Sequence, residues 1–315
     1  MLVTDFVEQI KKIGIKTLAG VPDSALKSFC DYINGTGKNE FEHYVPVNEG
    51  AAVGIAIGSY LATGVPACVY MQNGGLGNIV NPITSLANKD VYGIPMLLLV
   101  GWRGEPGTKD EPQHKYMGKI TEDLLRVLGI EYIVLEKELS MQEIMRSFER
   151  AAQVLKEGKQ FAFVLKRDFL QNNNSSDYKN NNSLVREDAI AAIIKMLDES
   201  DVVISTTGKI SREVYEQSDR IKGSHAQDFL TVGGMPTGCV GLSYADIAGT
   251  VGYERVYCVD KQQDLTKVLS DIKKKRNLTF IEIKVAMQSR ADLGRPKETA
   301  EENKNNFMKY HGVGL

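Results

Sequence analysis

The sequence predicts an α/β protein of two domains, each a doubly wound parallel sheet, the second of them short of strands. Three observations predict it. Short apolar runs alternate with helical patterns along the 315 residues, which is the grammar of βαβ units covered on both faces. A polar, Asn-rich run, "QNNNSSDYKNNNS" at 171–183, interrupts that grammar and has almost nothing to bury. Beyond it the alternation restarts, and a chain of this length is enough for two cores of ordinary size.

In chain order, "MLVTDFVEQIKKIG" reads as an amphipathic helix, with no apolar signal-peptide core. Strands are expected at "TLAGV" (17–21), "HYVPV" (43–47), "ACVYM" (67–71), "PMLLLV" (95–100), "EYIVL" (131–135) and "FAFVLK" (161–166). Helical stretches between them include "DSALKSFCDYI" from Asp23 and "SMQEIMRSFERAAQVL" from Ser140. These make one complete domain, 1–167, followed by a polar linker, 168–185. The second domain, 186–315, offers helix "REDAIAAIIKML", strand "DVVIST", helix "SREVYEQ", strands "DFLTV" and "RVYCVD", helix "DLTKVLSDIKKK" and strand "TFIEIKV". Only four strands are visible there.

Composition excludes some functions. Hydrophobic content of 43% and charged content of 25% are those of a globular protein. A net charge of −2 argues against nucleic acid held by bulk positive charge. No apolar run approaches the roughly 20 residues of a membrane span. Cys30, Cys68, Cys239 and Cys258 lack metal-like spacing and read as reduced thiols. The expectation is a soluble cytoplasmic protein with neither nucleic acid nor membrane as partner.

Several motifs sit where strands run into helices. In "VPVNEGAAVGIAIG" (45–58), Glu49 is either an acid suited to a helix N-terminus or a carboxylate held in a dry place for acid–base work. Gly50, Gly54 and Gly58 recur one turn apart in the same helix. Glycine costs up to about 1 kcal/mol in a helix interior, so another backbone is expected close by, inside the domain or across a subunit interface. "QNGGLGN" (72–78) exposes backbone N–H groups and places Asn73, Gly74, Gly75 and Asn78 at the carboxyl edge of the sheet, where open α/β folds bind ligands. It matches neither dinucleotide nor P-loop fingerprints. "GWRGEPGTKDEPQH" (101–114) is longer than an ordinary βα connection and carries Trp102, Arg103 and His114, as a binding loop would. "GVPDS" (20–24) gives Asp23 or Ser24 as a helix cap. Asp23, Glu49, Gly75 and His114 all belong to one edge of one sheet, and that convergence weighs more than any single member. In the second half, "STTGKISREVYE" repeats the strand–Gly turn–helix logic with Gly208. "QSRADLGRPKE" sets Arg290, Arg295 and Lys297 after the last strand, as a solvated basic stretch or a clamp for a doubly charged anion.

Taken together, "GVPDS", "NEGAAVGIAIGSYLATG", "YMQNGGLGN", "NPITSLAN", "GWRGEPGTKDEPQH", "STTGKISRE", "HAQDFLTVG" and "GGMPT" resemble the thiamine diphosphate-dependent decarboxylases, in the branch acting on phosphono- and sulfo-substituted 2-oxo acids. The likeness runs in order from residue 2 to about residue 300, and the 101–114 stretch is its most specific part. It implies a six-stranded domain for the cofactor's aminopyrimidine, a second domain for its diphosphate and Mg2+, and a homo-oligomer whose active sites are shared between subunits. On that pattern Glu49 matches the glutamate that hydrogen-bonds the aminopyrimidine, and Asn73, Gly74, Gly75 and Gly208 are cofactor-binding positions. Asp23 and His114 would handle protons during product release, Asp23 also meeting the substrate, with Arg290 or Arg295 on its anionic head group. The implied reaction is decarboxylation of 3-phosphonopyruvate to phosphonoacetaldehyde and CO2. Sulfopyruvate is the alternative substrate, both being small anionic 2-oxo acids.

The resemblance breaks at one place. The family's metal motif is a GDG run followed by paired asparagines, and this chain has no GDG, so no metal ligands are identifiable. About two βα units are missing between Gly233 and Gly234. Either the natural protein carries a segment there that this sequence does not, or the deletion is genuine and the chain is a non-catalytic homologue serving as a binding or regulatory subunit. A sheet robbed of central strands leaves apolar helix faces uncovered, which favours the first.

Overall fold

The structure is a computed structural model that describes residues 1–172, 180–206, 208–230, 245, 248, 252–274, 277–287 and 289–312. The chain divides into two compact units, and the described residues before and after the Asn-rich run fall into different ones.

The first unit runs α1 (Val3–Lys12), β1 (Thr17–Gly20), a 3-10 turn (Ser24–Leu26), α2 (Lys27–Asn34), β2 (Glu42–Tyr44), α3 (Glu49–Thr63) and β3 (Ala67–Gln72). A second 3-10 turn (Asn73–Gly75) leads into α4 (Leu76–Pro82) and a π-helical turn (Ile83–Ala87). Then come β4 (Met96–Gly101), α5 (Pro112–Val127), β5 (Glu131–Leu135), α6 (Met141–Lys156) and β6 (Gln160–Leu165). All six strands pair in parallel, in the order β2-β1-β3-β4-β6-β5. The strand at 43–47 is shorter than its apolar run, ending at Tyr44, since Pro46 has no N–H to give a ladder.

Period-two alternation sorts the central strands between two cores. Cys68, Tyr70, Leu97, Leu99, Phe161 and Phe163 face one side, packed with Phe6, Phe29 and Phe148 from α1, α2 and α6. Val69, Met71, Leu98, Val100, Ala162 and Val164 face the other, packed with Val53, Leu76 and Leu125 from α3, α4 and α5. Each of Leu97, Leu98 and Leu99 is fully buried and contributes about 2 kcal/mol of transfer free energy. Phe6 stands edge-on to Phe148, Phe163 and Phe169 with ring centroids 5.3, 6.2 and 6.2 Å away. Phe169 and Leu170 are buried, and Gln171 bridges to Leu2, so the first unit continues past residue 167 into the stretch expected as linker.

The second unit contains α7 (Arg186–Met196), β7 (Val203–Ser205), α8 (Lys209–Lys222), β8 (Asp228–Leu230), β9 (Arg255–Val259), α9 (Gln262–Lys274), β10 (Thr279–Ile283) and α10 (Ala300–Tyr310). Its four described strands form two separate parallel pairs, β7–β8 and β9–β10, where the sequence leads one to expect a single sheet. A small core of Leu184, Ala189, Val259, Leu265 and Leu269 binds α7 to the β9–β10 pair. On α10, Asn303 finishes the edge of β8, accepting from Leu230 N at 3.0 Å and donating to Asp228 O at 2.9 Å. The Gly233–Gly234 junction and Cys239 lie outside the described residues. Among those residues no helix is long and apolar enough to cross a membrane.

Candidate active site

The strand order reverses at β1, with β2 on one side of it and β3 on the other. In an open parallel sheet the crevice at the carboxyl ends of such strands is where ligands bind. The connections leaving β1 and β3 meet there: the Gln72 amide donates to Asp23 Oδ2 at 2.5 Å. The other carboxyl oxygen of Asp23 accepts from Ala25 N at 2.8 Å, capping the 3-10 turn as expected of an Asp at that position. Both oxygens are thereby oriented.

Glu49 opens α3 after the Asn48 cap, whose side chain accepts from Ala51 N at 2.8 Å. Its carboxylate lies against the turn after β3. Asn78 donates to Oε2 at 2.6 Å, and a Cβ built at Gly75 would sit 2.6 Å from the Glu49 carboxyl carbon. Only glycine leaves room for that seat. Within the single chain Glu49 is half-buried, short of the dry surroundings one of its two readings requires.

The 101–114 loop folds back on the start of α5. Gly104 adopts φ +68°, and a Cβ there would come within 2.0 Å of the His114 carbonyl oxygen. Trp102 Nε1 donates to Gly118 O at 3.0 Å, and Trp102 N donates to Leu165 O at 2.9 Å. The loop is fastened from within by Asp110, which is only 5% exposed and accepts from Arg103 Nε at 2.8 Å and Nη2 at 2.5 Å. Gly104 N and Glu111 N add two more donors, each at 2.8 Å. Those hydrogen bonds, that of Arg103 foremost, hold its carboxyl far below the usual carboxylate range. His114, half-buried in the first turn of α5, is pushed toward its neutral form. Burial, and then the Arg103 charge, lower its pKa, so the neutral imidazole is the resting form at neutral pH.

Asn73 departs from its expected role. It is 1% exposed, and its amide is committed inward: Nδ2 donates to Arg103 O and Thr121 Oγ1, both at 2.8 Å, while Oδ1 accepts from Arg103 N at 3.2 Å. It braces the loop, with its side chain committed to Arg103 and Thr121. Gly74 is exposed on the turn beside Gly75. Arg290, in the second unit, also departs from expectation. Its guanidinium meets Glu187 at 3.0 Å, Asp292 at 3.4 Å and Glu216, so three acids surround the one cation and leave it poorly suited to hold a second anion. Arg295 is exposed in the same stretch, and Gly208, at φ +85°, heads α8. Among the described residues no group of three His, Cys, Asp or Glu side chains is arranged to hold a metal.

Two participants escaped the sequence. Gln72 gave no signal beyond being polar at a strand end. Asp110 lies in a loop without periodicity, seven residues from the arginine it pairs with. The only hint was that a stretch mixing Arg, Asp and several glycines needs internal fastening.

Residues 2–125 match the family described as thiamine pyrophosphate enzyme, N-terminal TPP binding domain. The chain is 34% identical over 260 residues to a phosphonopyruvate decarboxylase of Streptomyces viridochromogenes, covering 76% of this chain and 62% of that protein. It is 33% identical over 261 residues to that of Streptomyces hygroscopicus, covering 77% and 62%. It is also 34% identical over 119 residues to the sulfopyruvate decarboxylase subunit alpha of Methanococcus maripaludis, covering 38% of this chain and 68% of the subunit. The chain therefore spans less than two thirds of the length of the two Streptomyces proteins.

Proposed function

The chain belongs to the thiamine pyrophosphate enzymes, and we propose that it catalyses the decarboxylation of 3-phosphonopyruvate to phosphonoacetaldehyde and CO2 in the cytoplasm, with thiamine diphosphate and Mg2+. One observation carries the reading: four connections of one parallel sheet bring Asp23, Glu49, Gly75 and His114 to the same edge, with the Glu49 carboxylate seated where a Cβ at Gly75 would be. The names of the Streptomyces relatives support the substrate.

The residues fit the aminopyrimidine half of the cofactor. Glu49 would hold it through the carboxylate oxygen that Asn78 leaves free, and the Gly74–Gly75 turn gives a flat ring close access to backbone. Gly208, at a helix head suited to phosphate, is the proposed diphosphate contact, and among the described residues none are grouped to hold Mg2+. When bound, the cofactor supplies the electron sink that receives the electrons freed as CO2 leaves. The chain's own share is to hold and move protons. Glu49 offers a fixed carboxylate to a ring nitrogen. Asp23, locked by Gln72 and Ala25 N, and neutral His114 supply the acceptor and donor for protonating and releasing the aldehyde.

A homo-oligomer with shared active sites completes this reading. Around Gly54 and Gly58 a built Cβ meets nothing within 4 Å, while Val47, Leu61 and Val80 stand exposed on α3, α4 and the connection before α3. A second copy packed on that face would supply the missing backbone and dry the surroundings of Glu49.

Sulfopyruvate is the second substrate reading, favoured by the subunit-alpha match. A panel separates the two. Purified chain with thiamine diphosphate and Mg2+ should release CO2 from phosphonopyruvate with kcat/KM at least tenfold above that for sulfopyruvate or pyruvate. The reverse order would transfer the enzyme to sulfonates, and no CO2 from any of the three would leave a non-catalytic homologue.

A further inference from the structure

We propose that Arg103, with Arg167 beside it, binds the tetrahedral anionic head group of the substrate, phosphonate or sulfonate, a role the sequence suggests for the carboxyl-terminal arginines. The inference rests on the 2-oxo acid reading above.

Arg103 is an arginine whose direction is fixed before any ligand arrives. Its backbone N–H and C=O are both held by buried Asn73. Asp110 takes Nε and Nη2 side-on, and Nη1 donates to Ser24 Oγ at 2.7 Å. With the two backbone donors it also receives, Asp110 has all four lone-pair sites filled, so it has no capacity left to turn elsewhere. Three of the five guanidinium N–H groups are used among the described residues, leaving two on a fixed planar fork, the geometry that suits a tetrahedral oxyanion. Pre-organisation of this kind spares a ligand the cost of ordering its receptor.

A second guanidinium beside it separates this arginine from its rivals. Arg167, 60% exposed, reaches Asp110 Oδ2 at 3.9 Å. Two guanidiniums thus share one carboxylate, so Arg103, Arg167 and Asp110 between them carry one positive charge. Lys166 nearby is neutralised by Glu105 at 2.8 Å and Glu136 at 2.6 Å, and Arg290 is outnumbered by acids. Position agrees with charge. Ser24, which Arg103 touches, follows Asp23 in sequence, and Arg103 is the leading charge acting on His114. A head group held here would be anchored beside the two residues proposed to move protons, with Asp23 and Glu111 as further acids near Arg103.

The test is equilibrium binding of 3-phosphonopropionate, with propionate as the probe lacking the head group, to wild type, Arg103→Gln and Arg167→Gln. Arg167 is exposed, so its variant keeps the fold should Arg103→Gln lose it. Phosphonopropionate affinity should fall tenfold or more in Arg103→Gln and about threefold in Arg167→Gln, with propionate unchanged. Unaltered phosphonopropionate binding in both variants, or no binding of it to wild type at millimolar concentration, overturns the inference. Thiamine diphosphate binding on the same samples keeps the two levels apart: a chain that binds the cofactor and releases CO2 but ignores Arg103 loses only the head-group site. A chain that binds phosphonopropionate through Arg103 and releases no CO2 keeps that site and loses the decarboxylase reading.

Discussion

Two carboxylates in this chain ionise in opposite directions, for reasons visible in their neighbours. Asp110 receives four hydrogen bonds, two from a guanidinium, and is held ionised. Asp228, 2% exposed at the start of β8 with Oδ2 unpartnered, is pushed up to about 6 by burial against the opposing effects of Ser218, His225 and Lys222. A carboxyl whose folded pKa is raised binds its proton more tightly in the native state. Its contribution therefore favours folding below the unfolded pKa of about 4 and is lost as pH rises through about 6. Asp228→Asn keeps the shape and cannot ionise. It should raise stability at pH 7.5 by on the order of 2 kcal/mol and flatten the fall between pH 4 and 6.5, as read from urea midpoints at several pH values. Equal midpoints at pH 7.5 would mean that Asp228 is better solvated than its surroundings indicate. At this scale the sequence was informative where a residue's place follows from one strand end, as for Asp23 and Glu49. It was silent where a role depends on a loop closing on itself: Asn73 braces Arg103, 30 residues away, and no local pattern encodes that.

Helix α3 carries the clearest question at the scale of elements. Its three glycines promised a close neighbour, and only Gly50 has one inside the unit: a Cβ there would lie 3.1 Å from Asn78 O. Gly54 and Gly58 have open space where a side chain would be. For an isolated chain, alanine at either position should raise helix stability by up to about 1 kcal/mol. We predict instead that Gly54→Leu lowers the mass seen by light scattering from oligomer to monomer with unchanged circular dichroism. An unchanged mass with a raised Tm would show that nothing packs on that face. The central strands β3, β4 and β6 were legible because each is a mostly apolar run of six residues, and burial on both faces makes such runs continuous; the edge strand β2 keeps only three residues, Glu42–Tyr44. Helix beginnings were less so: the stretch from Asp23 splits into a 3-10 turn and α2 starting at Lys27, a boundary set by the Asp23 cap and its tie to Gln72.

At the scale of the molecule, the two units differ in completeness. The first is an open, doubly covered sheet with two cores. The second shows two parallel pairs among the described residues, in a chain spanning 62% of the Streptomyces relatives. The strand shortage was legible as a count of four, but the split into pairs was not, since pairing depends on what lies between β8 and β9. The function proposed for the whole molecule depends on the first unit's edge, and above all on Glu49. The most direct measurement pairs thiamine diphosphate binding with CO2 release from phosphonopyruvate in wild type and Glu49→Gln. Wild type should turn over, and the variant should bind the cofactor within a few-fold of wild type while its turnover falls a thousandfold or more. Near-normal turnover in Glu49→Gln would contradict the account, because the one carboxylate seated on the glycine turn would then have no part in the chemistry.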